Sequence, residues 1–144
     1  MNIRNATYKD APAIRFLLEV LGYKASMSLL VNQLETLFGG EDHQVFVAER
    51  NREVIGFIAI HYLPLLAFDG ELAVITYLSV DEAAANQSIE RALEQYATAQ
   101  ALKRKCERIQ VQCSERPTLA HRFYEQQGYH ECPIYFTKRL VDTE

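Results

Sequence analysis

The chain has 144 residues and a formal net charge of −4, with 49% hydrophobic and 24% charged residues. That balance suits one soluble globular domain with a single core and excludes a disordered or low-complexity chain. The acidic balance gives no basic footprint for nucleic acid and makes cationic small molecules the more natural partners. The longest apolar segment is broken by His61 and Pro64, short of the roughly 18 residues a membrane span needs. The opening MNIRNATYKD has no apolar signal core, so a cytoplasmic protein is expected. Cys106, Cys113 and Cys132 show neither C-x-x-C spacing nor clustered histidines. They read as reduced, buried thiols, and neither a metal site nor a disulfide framework is expected.

In chain order, IRNAT (Ile3 to Thr7) predicts a short strand running into a capping box, with Thr7 as cap and Asp10 reaching back. Ala11, Ile14, Leu17, Leu18 and Leu21 then recur at helical spacing until Gly22. A second amphipathic helix is marked by Met27, Leu30, Val31, Leu34, Leu37 and Phe38, and Gly39-Gly40 ends it. The period then switches to strands: Gln44 to Arg50, Glu53 to Leu63 after a tight Asn51-Arg52 turn, and Glu71 to Val80. These three predict an antiparallel meander. Ile89, Ala92, Leu93 and Tyr96 mark one face of a long helix, and RIQVQC (Arg108 to Cys113) reads as the next strand. A strand, helix, strand crossover makes the strands on either side of that helix parallel. A helix from about Thr118 to Gln127, ended by Gly128, and a last strand from Pro133 to Leu140 complete an α+β domain covering residues 1–144.

The pattern AHRFYEQQGY (Ala120 to Tyr129) followed by YFTKRL (Tyr135 to Leu140) resembles the closing motif of the GNAT superfamily of acyl-CoA N-acetyltransferases. The opening IRNATYKD, the EVIGFIAI strand and the TYLSV strand fall in the family's usual order, so the resemblance spans essentially the whole chain. Within it, AHRFY with a final FTK strand is most similar to aminoalkylphosphonate and, more distantly, aminoglycoside N-acetyltransferases. The resemblance implies a mostly antiparallel mixed sheet flanked by helices, with a central parallel pair that splays into a V-shaped cleft for acetyl-CoA. Backbone groups near Leu78 and Val80 would bond the pantetheine arm as an added strand. The pyrophosphate would sit on the amides of Asn86, Gln87, Ser88 and Ile89, at the positive end of the following helix.

The stretch VDEAAANQSIERAL (Val80 to Leu93) occupies that phosphate turn without its usual letters. The family places Arg or Gln, then Gly, then Gly or Ala at positions that are Ala85, Ser88 and Glu90 here. The amides survive these changes, and Ser88 could cap the helix or donate to a phosphate. Glu90 is different, because its carboxylate competes with the phosphate for the same helix end. Two charges about 5 Å apart at an effective dielectric near 20 repel by roughly 3 kcal/mol. Pro117 falls where many members carry a CoA-contacting asparagine. Weakened rather than abolished cofactor binding is therefore expected.

By the same resemblance, Tyr124 holds the general-acid position that protonates the departing thiolate. The base that keeps the acceptor amine neutral is open among Glu71, Tyr77, His61 and His121, with Glu71 placed first because it starts the strand lining the cleft. His61 interrupts an apolar strand, where a histidine is more often satisfied structurally than catalytic, and His121, one helical turn before Tyr124, reads equally as a surface residue. Two functions of different class follow. One is direct acetyl transfer from acetyl-CoA to a small primary amine without a metal, supported by Tyr124 and AHRFY. The other is a non-catalytic ligand-sensing or partner-binding module on the same fold, supported by Ala85, Ser88, Glu90 and Pro117. The expected partner is a small-molecule amine, with a homodimer left open and no nucleic acid or membrane.

Overall fold

Alternating apolar residues build a five-stranded sheet of β1 (Asn2–Asn5), β2 (His43–Arg50), β3 (Glu53–Leu63), β4 (Leu72–Val80) and β5 (Arg108–Val111), lying side by side in that order. The computed structural model describes residues 1–84, 87–112, 119–132 and 135–141, which fall into two units, Met1–Ser114 and Glu115–Glu144. Strands β1 to β4 pair antiparallel, and β4 pairs parallel with β5. A parallel step needs a crossover connection, and α3 (Gln87–Lys103) supplies it.

Two further helices, α1 (Ala11–Val20) and α2 (Met27–Phe38), cover the opposite face from α3. On the α1/α2 face, Ile14, Leu17 and Leu34 pack with Val45, Val47, Phe57 and Ala59. On the α3 face, Ile89, Leu93, Ala97 and Ala101, one residue in four, pack with Phe46, Ile58, Ile60 and Ile75. Each fully buried Leu or Ile contributes about 1.5–3 kcal/mol relative to exposure, so these two layers supply the main cohesion of the unit. Gly56 sets how closely α3 approaches: a Cβ there would stand 3.1 Å from Leu93 Cδ1 and 3.2 Å from the Ser79 carbonyl.

The capping box at Thr7 forms, with Asp10 accepting from the Thr7 N–H at 2.8 Å. A short 3-10 turn, Tyr8–Asp10, precedes α1, and Pro12 in the first helical turn suits a position where the N–H has no helical partner. Arg4 then clamps this entry to the sheet, donating to both Asp10 oxygens at 2.8 and 2.9 Å and reaching Glu49 on β2 at 3.3 Å. Ser26 caps α2 by accepting from the Leu29 N–H at 3.1 Å.

The second unit holds α4 (Leu119–Gln126). Gly128, at φ 98°, lets the chain reverse so that the Tyr129 N–H reaches the Tyr124 carbonyl at 3.0 Å. The expected last strand is not found at residues 135–140, which form no regular element, and Phe136 and Leu140 stand open to solvent. Alternation in sequence is only half of a strand, because the backbone groups also need a partner edge. Pro133 and Ile134 lie outside the described residues, as do Cys113 and Thr118. No helix among the described residues is long and apolar enough to cross a membrane.

Candidate functional site

The centre of the molecule's first unit is the place where β4 leaves β5. The parallel pairing runs from Leu72↔Arg108 to Ile75↔Val111, and the Gln112 N–H adds one bond to the Ile75 carbonyl at 3.2 Å. Beyond it, β4 continues for five residues to Val80 with β3 on its other side, Leu78 facing Ile58 and Val80 facing Gly56. Among the described residues no strand pairs with β4 on the β5 side past Ile75. The expected parallel pair is therefore present, and its pairing among the described residues ends at Ile75. At that point the β3–β4 register shifts between Ala59↔Tyr77 and Ile60↔Ile75, which leaves Thr76 as an extra residue in β4. A bulge of this kind bends its strand and raises the local twist, turning β4 away from a neighbour that does not share the insertion.

The bulge also fixes what the strand presents. Ile75 and Leu78 pack on the α3 side, whereas Tyr77 faces the α1/α2 side, its ring edge-on to Tyr23 at 5.5 Å and stacked with Phe57 at 6.4 Å. Ser79 is buried and donates to the Leu17 carbonyl at 2.8 Å, tying the end of β4 to α1. Leu78 and Val80 thus have side chains held in the core and backbone groups on an open edge, which is the form a strand-like ligand needs.

After Val80 the chain makes a turn in which Asp81 accepts from the Ala83 N–H and its carbonyl from the Ala84 N–H, both at 3.0 Å. Ala85 and Asn86 lie outside the described residues, as does the side chain of Gln87. Helix α3 begins at Gln87, and Ile89 plugs its first turn into the core with 2% exposure. Ser88 is exposed beside it. Glu90 is partly buried in the same turn, and burial pushes its carboxyl above the usual range.

Glu71 has another task. It precedes the first residue of β4, about 17 Å from Thr76 at a strand's usual rise. Arg104 at the end of α3 donates to its two oxygens at 2.6 and 3.4 Å. The same guanidinium reaches Asp42 at 2.6 Å and the Glu41 carbonyl at 2.6 Å and lies 4.1 Å over the Tyr62 ring. Burial raises the Tyr62 phenol to about 12. A carboxylate so bound joins the start of β4 to the end of α3 and closes the crossover.

Tyr124 is partly buried on α4, its ring edge-on to Phe123 at 5.2 Å and to Tyr129 at 5.5 Å. These contacts and the Gly128 turn fix the ring within its own unit. Pro117 and the His121 side chain lie outside the described residues.

The fold accords with the comparisons. The Acetyltransferase (GNAT) family model matches residues 18–129. The chain belongs to the GNAT acetyltransferase family. No curated protein matches it in sequence. Among solved structures, this GNAT chain is similar to a transcriptional regulator from Bacillus halodurans C-125, at 23% identity and a TM-score of 0.84 over 98% of this chain and 99% of the other. It is likewise similar to the glucosamine-6-phosphate N-acetyltransferase of Arabidopsis thaliana, at 18% identity and 0.82 over 97% and 98%. A third is the ribosomal-protein-alanine N-acetyltransferase of Brucella melitensis biovar Abortus 2308, at 16% identity and 0.79 over 96% and 98%. At these identities the likeness is one of fold.

Sequence reading missed two residues beside this edge. His61 was a candidate alone, but the structure joins it to His43 and Thr76 in one hydrogen-bonded row. The Asn51-Arg52 turn was visible, and an unbroken hairpin from Arg50↔Glu53 would have set His61 opposite Asp42. A bulge at Ile55 shifts the register so that His61 faces His43.

Proposed function

We propose that this GNAT chain is an N-acetyltransferase that moves an acetyl group from acetyl-CoA to a small primary amine by direct transfer, as one cytoplasmic domain of residues 1–144. The observation that carries the reading is the stretch of β4 from Thr76 to Val80, which runs past the last described β4–β5 pair, with the start of α3 close after it. By the family resemblance, Leu78 and Val80 would bond the amide-bearing arm through their backbone, and the pyrophosphate would sit from Ala85 to Glu90 at the start of α3, where the positive helix end favours an anion. When bound, acetyl-CoA supplies an activated acyl carbon. The protein's part is to align the amine with that carbon, exclude water and move protons. Tyr124 is assigned the acid that protonates the sulfur.

Purified protein incubated with acetyl-CoA and a panel of primary amines should release free thiol with amine-dependent rates. Tyr124→Phe should lower turnover by about tenfold or more with little change in CoA affinity, because the ring packing is kept and only the proton donor is lost. Turnover within twofold of wild type would remove Tyr124 from the mechanism.

A second reading, a ligand-sensing or partner-binding module without catalysis, is favoured by Glu90 in the first turn of α3. Calorimetric titration with CoA separates them. Absence of any heat of binding would discard the enzyme.

A further inference from the structure

Three side chains on three neighbouring strands form a row across the sheet face that carries α1 and α2. His43 Nδ1 on β2 lies 2.9 Å from His61 Nδ1 on β3, and His61 Nε2 lies 3.1 Å from Thr76 Oγ1 on β4. The row ends inward at Thr76, the residue that the bulge inserts directly after the last β4–β5 pair. At its outer end, His43 lines an open pocket of about 340 Å³ together with Asn5, Phe38, Gly40, Glu41 and Gln44. One end thus meets the place where β4 opens, and the other meets solvent.

The bonding pattern is that of a wire. Two neutral imidazoles whose Nδ1 atoms are 2.9 Å apart share one proton. When His61 donates it, His61 Nε2 accepts from the Thr76 hydroxyl. When His43 donates it, His61 Nε2–H donates to Thr76 Oγ1 instead. Both patterns satisfy every group, and shifting one proton along each bond, with a proton taken up at the Thr76 oxygen and another released from His43 Nε2, converts the first into the second. The titratable group facing His61 is His43 from β2, while β4 presents Thr76 and Gly40 packs on the His43 ring. Burial first, and the neighbouring His43 second, lower the His61 pKa, which favours the neutral imidazole able to accept a proton.

We propose that Thr76, His61 and His43 carry the proton lost by the acceptor amine from the open edge of β4 to the solvent pocket, which makes His61 a relay residue for acetyl transfer. This rests on the N-acetyltransferase reading above. As the nitrogen–carbon bond forms and the carbon–sulfur bond breaks, the amine proton passes to the Thr76 oxygen and the hydroxyl's own proton moves to His61 Nε2. The His61 Nδ1 proton moves to His43 Nδ1, and the His43 Nε2 proton leaves to water. The thiolate takes a proton from Tyr124, leaving an amide and a free thiol.

The test is steady-state kinetics of the full chain from pH 5.5 to 9 with acetyl-CoA and an unhindered amine, n-butylamine, comparing wild type with His61→Gln and His43→Gln. The relay predicts a kcat loss of about tenfold or more for His61→Gln near pH 7, with the KM for acetyl-CoA within about twofold. It also predicts loss of the acid limb that His61 gives the wild-type profile, and a smaller loss for His43→Gln. Unchanged kcat and an unchanged acid limb in an active enzyme would overturn the relay alone, and so would parallel loss of kcat and CoA affinity, the mark of a structural role. A wild-type protein that binds CoA but transfers to no amine would refute the acetyltransferase reading itself and take the relay with it.

Discussion

Asp10 is the most exposed joint of the fold to a single change, although its side chain is itself buried. Its carboxylate is 6% exposed and accepts from Arg4 at 2.8 and 2.9 Å and from the Thr7 N–H at 2.8 Å, so one residue joins β1, the turn into α1 and, through Arg4, Glu49 on β2. Asp10→Asn removes the charge and turns one acceptor oxygen into a donor facing a guanidinium. Hydrogen bonds to charged groups are worth about 1.5–3 kcal/mol each, and breaking a buried pair from one side costs about 3–5 kcal/mol. Arg4 keeps Glu49 and is itself 31% exposed, which places the loss at the low end, about 3 kcal/mol or roughly 10 °C in Tm. Urea denaturation at pH 7 measures it. The sign with pH is fixed: the Arg4 guanidinium beside Asp10 holds its carboxyl below the usual range, so its stabilisation is present above pH 3.8 and is lost as pH falls through the native value. The gap between wild type and variant should therefore close only in strong acid. A gap under 1 kcal/mol at pH 7, or one that closes already between pH 7 and 5, would refute the account.

Glu90→Gly should tighten acetyl-CoA by roughly tenfold at low salt, by removing a carboxylate from the phosphate end of α3, and adding Ala85→Arg should tighten it further. Titration calorimetry of the single and double variants checks this, and unchanged affinity in both would make the turn an ordinary junction. Arg52→Gly should stabilise the fold by about 0.5–1 kcal/mol in chemical denaturation, because Asn51 and Arg52 both sit at positive φ, 54° and 65°, where the hairpin favours Asn-Gly. For His61, whose pKa is lowered on folding, stability is full above pH 6.5 and falls as pH drops below it. Thermal melts of His61→Gln should show that slope flattened.

The sequence disclosed what depends on local pattern. Helix α2 and strand β3 span the residues their periodicity marks, and the parallel step follows from the position of α3. What it concealed depends on register. Nothing in VIGFIAI announces that Ile55 is skipped in pairing with β2, yet that skip decides which residue His61 meets. The ion pair of Glu71 was hidden for a similar reason: its place at the start of β4 was legible, but the guanidinium that binds it comes from Arg104, 33 residues later. The alternation from Pro133 to Leu140 suggested a strand because pattern records which faces are apolar and not whether an edge is at hand.

Two insertions of one residue therefore do most to shape the site. The first, at Ile55, brings His43 and His61 face to face. The second, at Thr76, turns the hydroxyl toward His61 and at the same point releases β4 from β5. Removing Thr76 would restore regular pairing between β3 and β4. It would also flip Leu72 to Ile75 to the opposite face, since the side-chain period of a strand is two. The buried Ala73 and Ile75 would then exchange places with Leu72 and Val74, forcing a Leu into an Ala site and leaving a Val where an Ile fills the α3-side core. The bulge is thus held in place by core packing on one face while its consequences appear on the other.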